Sequence, residues 1–265
     1  MSPVEETDRF VELCARPERD VAVEEAALLV AAHATPALDV DAQLRRIDEI
    51  AAGCAAPTLE ALVTHLFDDI GFSGDRRDYY DPRNSYLDAV LDRRLGIPIS
   101  LSVLAIAVGR RLDVPLAGVS MPGHFLVRAT ARPDVFLDAF AGTILDHRGC
   151  ILTFRRVHGD GTRFDPSWLQ PVGAFSVIAR VLANLKSIFL AREDRASLRW
   201  CLELRSAIPG VGDGERRELA AVLAATGSIR EAADIHDALA ARAEATGGAT
   251  DPDRRAATRL RARLN

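Results

Sequence analysis

Residues 96–140 read GIPISLSVLAIAVGRRLDVPLAGVSMPGHFLVRATARPDVFLDAF, and the change of period inside them decides the fold class. Pro98 stands where a proline opens a helix, since its missing N–H is one of the unpaired donors of a first turn. From Ile99 to Leu112 the run is apolar almost all round, the pattern of a buried central helix. After Pro115 the period drops from 3.6 to 2. LAGVS, GHFLVRA and VFLDAF are short runs broken by MPG and ARPD, and they read as antiparallel strands. A buried helix followed by a small antiparallel sheet is an α+β arrangement.

Upstream, residues 1–20 are polar and predict a short helix or an adherent arm. Three helices then follow. The first has Asp20 as its N-cap and Pro36 as its stop. The second starts at Asp39 or Asp41 and closes at Gly53. The third is opened by Pro57-Thr58 and ended by Gly71. Together they form an N-terminal helical layer. SGDRRDYYDPRN (73–84) is a polar turn segment that holds two of the three tyrosines. Asn84 or Ser85 is the expected cap of SYLDAVLDRRLG, with Gly96 as its stop. Downstream, GTILDHRGCILT reads as a further strand or a turn leading out. The Gly-, Asp- and Pro-rich stretch 158–168 is the expected boundary loop. From Val172 on the strand signals vanish, and helices fit 173–193, 195–207, 214–226, 228–243 and 252–264. Residues 195–226 span one helix–turn–helix unit of about 34 residues, of the tetratricopeptide type. The expected division is 1–168 and 169–265.

Composition narrows the class of function. The chain has 265 residues and is 48% hydrophobic, enough for a large core and against general disorder. Lys and Arg total 33 against 38 acids, a net charge of -5, so no basic field points to nucleic acid. The longest apolar runs, such as residues 26–32, fall short of a membrane span. The N-terminus MSPVEETDRF lacks the apolar centre of a signal peptide. Cys14, Cys54, Cys150 and Cys201 are too widely and irregularly spaced for a disulfide framework, which predicts reduced thiols and a cytoplasmic location. No GxGxxG, P-loop or HExxH pattern is present, and neither a cofactor nor a metal is expected. His147-x-x-Cys150 is half a metal site with no second pair.

The chemistry-bearing residues are Ser100 and Ser102, at the start of the central helix, and His124 and Asp138, on neighbouring strands. A helix start offers free amides and a positive dipole end, where thiol enzymes place a nucleophile. The same position also suits plain capping hydroxyls. A carboxylate bonded to one imidazole nitrogen fixes the tautomer and leaves the other nitrogen as a base. Whether His124 and Asp138 meet depends on hairpin register. A turn centred on residue 131 sets them opposite each other, and one centred on 132 keeps them on one face two residues apart. A centre between 132 and 133 separates them. Gly123 permits close approach beside His124. Tyr79, Tyr80 and Asn84, with the arginines around them, are candidates to line a cleft that grips an acidic or peptide ligand. Cys150 can approach from a neighbouring strand but does not occupy a nucleophile's place.

The run NSYLDAVLDRRLGIPISLSVLAIAVGRRL, then GVSMPGHFLVR, then FLDAF and Cys150, resembles the SirB-type, transglutaminase-like family of bacterial proteins. Residues 20–51 and 177–209 are similar to that family too, so the resemblance covers about residues 20–245. It implies a papain/transglutaminase-like domain, with its central helix packed on a small antiparallel sheet, followed by a tetratricopeptide-like tail. It also implies that His124 matches the catalytic histidine of the superfamily and Asp138 its orienting aspartate. The nucleophilic cysteine has no match, and Ser100 is the nearest equivalent.

Three functional expectations follow. The first is a non-catalytic or regulatory module that binds a peptide or protein partner through the cleft and the helical tail. The second is a serine-dependent hydrolase or acyltransferase using Ser100, His124 and Asp138. A third, plainer one is a scaffold in which His124 is a packed core residue.

Overall fold

The computed structural model describes residues 3–248 and 250–264, and it divides into two compact units, residues 1–184 and 185–265. The first unit begins with α1 (Pro3–Cys14), which buries Phe10 and Leu13, α2 (Val23–Ala32) and α3 (Val40–Ala52). Asp39 caps α3 through the Ala42 amide. Asp20 does not cap α2. It ends a short 3-10 turn, and α2 starts after Ala22 with no side-chain cap. Burial stands in for the missing cap, because Leu28, Leu29 and Val30 are fully enclosed. Thr58 caps α4 (Leu59–Val63), which widens into a π-helical turn over Thr64–Asp69 before Gly71 turns the chain at φ +86°.

Next, β1 (Ser73–Gly74) pairs in parallel with β2 (Leu95–Gly96). Between them lies α5 (Leu87–Arg93). It starts after Tyr86 and stops at Arg94 in the left-handed region, two residues before the expected Gly96. Gly96 instead lies on β2, where an added Cβ would sit 2.8 Å from the Ser100 hydroxyl. The central helix α6 (Pro98–Arg111) has Pro98 at its start and is buried along most of its length.

A four-stranded antiparallel sheet follows α6, in spatial order β3 (Leu116–Val119), β4 (Leu126–Ala129), β5 (Phe136–Asp138), β6 (Thr143–Leu145). α6 packs on β3 and β4. The β4–β5 register pairs Val127 with Leu137 and Arg128 with Phe136, which centres that hairpin on residue 132. The stretch 142–153, expected as a further strand or a turn, divides: its first part forms β6, and residues 147–158 are α7 (His147–His158). Gly149 and the β-branched residues Ile151, Thr153 and Val157 obscure its helical period. Asp146 caps it through the Gly149 amide. α7 contributes Cys150 and Phe154 to a cluster with Val119, Met121, Leu126 and Phe136.

Val172 bridges back to Gly118, and the first half of α8 (Ala174–Ala191) places Val177, Ile178 and Val181 beside Val23, Ala27 and Val103. By length and composition alone, α8 could cross a membrane. It carries Arg180 and Lys186 and buries Val177, Ile178, Val181 and Leu182 inside the protein, the pattern of a helix with one face buried.

The second unit is helical. After α9 (Arg195–Ala207), the helices α10 (Asp213–Ala225), α11 (Ile229–Ala245) and α12 (Asp251–Ala262) each pack on the one before. Leu198, Leu202, Leu219, Leu223 and Leu239 fill the interior, with Ala232, Ala233 and Ala257 allowing close approach. The buried carboxylate of Asp253 takes both Arg217 and the Nδ1 of His236. The four cysteines are all free.

Candidate functional site

The hairpin register brings His124 and Asp138 together. Extending the pairing places Leu126 opposite Asp138 and His124 two residues further out on the same face. The His124 Nε2 lies 3.0 Å from Asp138 Oδ1. The same oxygen accepts the amides of Phe140 and Ala141, at 3.1 and 3.2 Å. Burial pushes the Asp138 carboxyl up, but the His124 hydrogen bond and charge, with the two amides, outweigh it and hold the group below the ordinary carboxylate value. An ionised Asp138 can only accept, so Nε2 carries a proton, and in the neutral imidazole Nδ1 is then the acceptor. Nδ1 makes no hydrogen bond within the described residues.

A carboxyl whose pKa is lowered by folding stabilises the native state above its unfolded value of about 3.9 and loses that contribution as pH falls through the folded value. The unfolding free energy of the wild type is therefore expected to drop on acidification below about pH 4, and Asp138→Asn to remove part of that drop. Urea titrations over a pH series compare the two proteins. Identical pH profiles would mean that Asp138 is not held as described.

Ser100 is differently committed. Its hydroxyl is buried and donates to the Asn84 carbonyl at 2.5 Å, with a longer contact of 3.2 Å to the Ile97 carbonyl. It also accepts the Ile97 amide at 3.1 Å. No hydrogen bond joins Ser100 to His124 among the described residues. Ser102 is fully buried and donates to the Pro98 carbonyl at 2.6 Å, a bond back along its own helix.

Asn84 is fully buried, with its side chain bonded to the Asp78 carbonyl and to Arg93. Arg93 reaches the Asp75 carboxylate as well, at 3.2 Å, and comes within 3.8 Å of Asp81. Asp75 accepts the amides of Arg77 and Asp78. The Asp78 amide, opposed by burial and helped by Arg77, Asn84 and Arg93, holds the Asp75 carboxyl below its ordinary value. A buried polar knot thus fixes both ends of the exposed loop 76–80.

That loop presents the aromatic rings. Tyr80 is 71% exposed and Tyr79 40%. Tyr79 packs edge-on against Tyr80 at 5.3 Å and against Phe140 at 6.1 Å, and Phe140 packs edge-on against His124 at 6.4 Å. The Arg76 guanidinium lies 5.5 Å from the Phe140 ring centre. Tyr79 and Tyr80 are therefore joined to His124 through Phe140. Sequence reading quotes Phe140 only as the end of an Asp-x-Phe motif. Its bridging position comes from Gly74 on β1, where an added Cβ would meet the Phe140 ring at 2.4 Å. The positioning role of Arg93 has no sequence signal, because it stands among other arginines at the end of an ordinary amphipathic helix.

Gly123 has φ +72°, and the group that approaches it closely is α7. An added Cβ would lie 2.6 Å from Val157 and 2.7 Å from His158. Cys150 lies near enough to feel the Asp138 charge. Burial first, then Asp146 and Asp138, push its thiol up to about 12, far from a nucleophile's range. Among the described residues no cluster of three or more His, Cys, Asp or Glu could hold a metal ion.

Residues 26–183 match the family model of the transglutaminase-like superfamily. A UPF0162 protein of Pseudomonas aeruginosa is 31% identical over 204 residues, covering 73% of this chain and 75% of that protein. A UPF0162 protein of Xylella fastidiosa is 43% identical over 143 residues, covering 52% of this chain and 50% of the relative. The chain thus spans about half the length of several of the curated relatives it matches. The human F-box only protein 21 is 36% identical over 134 residues, covering 49% of this chain and 21% of that protein. No solved structure matches. A match through the central helix, the sheet and the His124–Asp138 hairpin covers more than half of the sequence, and the chain belongs to the transglutaminase-like superfamily.

Proposed function

We propose that the first unit is a non-catalytic, regulatory module that binds a peptide or protein partner in the cleft beside His124. The helical second unit, of tetratricopeptide type, supplies a further contact surface. The observation that carries this reading is the Ser100 hydroxyl. Its one proton goes to the Asn84 carbonyl and its lone pair takes the Ile97 amide, so it is spent on joining the start of α6 to the loop before α5. A nucleophilic serine needs that proton directed at a base. The His124–Asp138 pair then serves as a fixed polar wall with one open nitrogen. A domain of this type also stands within a much longer relative, the human F-box only protein 21, which fits a modular role. The free thiols fit a reducing compartment such as the cytoplasm.

The serine-dependent hydrolase or acyltransferase remains the second reading, favoured by the open Nδ1 of a histidine already oriented by a carboxylate. A fluorophosphonate probe separates the two. The non-catalytic reading expects no labelling of the wild type above that of Ser100→Ala. It also expects Ser100→Ala to lose about 1–3 kcal/mol of stability, since buried backbone groups lose their partner. Labelling of the wild type that disappears in Ser100→Ala establishes the enzyme instead.

A further inference from the structure

The loop 76–80 carries more than a general invitation to peptides. It is exposed throughout, yet its ends are tied down by Asp75, Asn84 and Arg93 rather than left mobile. Such anchoring lowers the ordering cost that a binding loop otherwise incurs. The rings it holds form one line, Tyr80, Tyr79, Phe140, His124, with neighbouring centres 5.3–6.4 Å apart. Exposed aromatic surface beside an oriented polar group is typical of recognition sites.

The charges beside this line are cationic. Arg76 sits against the Phe140 ring, and Arg180 lies close enough to Tyr79 to favour its ionised form, against the stronger opposing effect of burial. Arg77 is exposed on the same loop. None of the three makes an ion pair among the described residues, whereas Arg93, Arg110, Arg111, Arg205 and Arg217 do. Asp78 is the exposed acid among them, and the buried carboxylates nearby, Asp75 and Asp138, are held by Arg93 and His124. In a chain with a net charge of -5, this is a local cationic excess laid beside an aromatic strip.

Resting on the reading of the cleft as a binding site, we propose that its ligand is an extended acidic peptide segment carrying aromatic residues. Its carboxylates pair with Arg76, Arg77 and Arg180, its aromatic side chains pack on Tyr79 and Tyr80, and a backbone N–H is accepted by the His124 Nδ1. Charge complementarity selects an acidic segment over a basic one, and the aromatic strip provides the apolar contact.

The test uses the full chain and fluorescein-labelled peptides of equal length, in which tyrosine alternates with glutamate, serine or lysine. The glutamate–tyrosine peptide is expected to bind at least about tenfold more tightly than the serine–tyrosine one, with affinity falling as salt rises. The double variant Arg76→Glu, Arg77→Glu is expected to abolish that preference, and Tyr80→Ala to weaken binding about tenfold. These three side chains are exposed, so the variants are expected to keep the wild-type circular dichroism spectrum and unfolding midpoint. Equal binding of all three peptides that is still lost in Tyr80→Ala overturns the acidic ligand but keeps the peptide-binding cleft. Binding of none, or binding indifferent to both variants, overturns the proposal. The fluorophosphonate experiment reports independently on whether the site is non-catalytic.

Discussion

Arg93→Met is expected to destabilise the first unit by about 2–4 kcal/mol. Arg93 donates to Asn84 Oδ1 and Asp75 Oδ2 and lies within 3.8 Å of Asp81, while both carboxylates are 93% buried. Methionine keeps most of the volume and removes the charge, leaving two buried carboxylates with less compensation. Arg93 is itself 24% exposed, and this partial solvent access places the estimate below that for a fully buried pair. The loss should appear as a lower denaturant midpoint with an unchanged slope. Because Asp75 and Asn84 hold the loop 76–80, the same variant should also raise the protease sensitivity of that loop. A midpoint within experimental error of the wild type would show that the knot is a surface feature without structural consequence.

Gly123→Ala is the second large effect, expected to cost about 2–3 kcal/mol. Two independent terms add. The φ of +72° is strained for any residue with a Cβ. The new methyl group would also meet Val157 and His158, whose Nε2 is bonded to the Pro122 carbonyl at 3.0 Å. The chain at 122–124 can relieve the overlap only by moving away from α7, and His124 moves with it. Nuclear magnetic resonance of the imidazole protons should therefore show a weakened His124–Asp138 hydrogen bond along with the lost stability. A stable Gly123→Ala protein with an unchanged imidazole spectrum would refute the close packing of α7 on this turn.

Much of the fold was legible because local patterns and tertiary packing agreed. The change of period after Pro115 marked the helix-to-sheet transition. Asp39, Thr58 and Pro98 stood at helix starts where their side chains or ring are favoured. Where packing overrode local preference, reading failed. α2 and α5 start without the caps expected for them, because burial of one or more faces supplies what a cap would. α7 was misread because a glycine and several β-branched residues mask a helix whose inner face is Cys150, Thr153 and Phe154.

The same division holds at the site. Sequence placed His124 and Asp138 on the two arms of one hairpin, although His124 stands two residues before β4 begins, and it reduced their meeting to a question of register with one arithmetic answer. It also determined that no cysteine stands at the start of the central helix. Only the tertiary structure decided that the hairpin centres on residue 132, because turn residues tolerate several registers and the packing of both faces selects one. Only the tertiary structure decided that the Ser100 proton goes to Asn84, 16 positions away, and that Phe140 links the tyrosines to His124. Those contacts join segments distant in the chain. Their distances depend on how helices and strands stack, and no periodicity or spacing in the sequence carries that information.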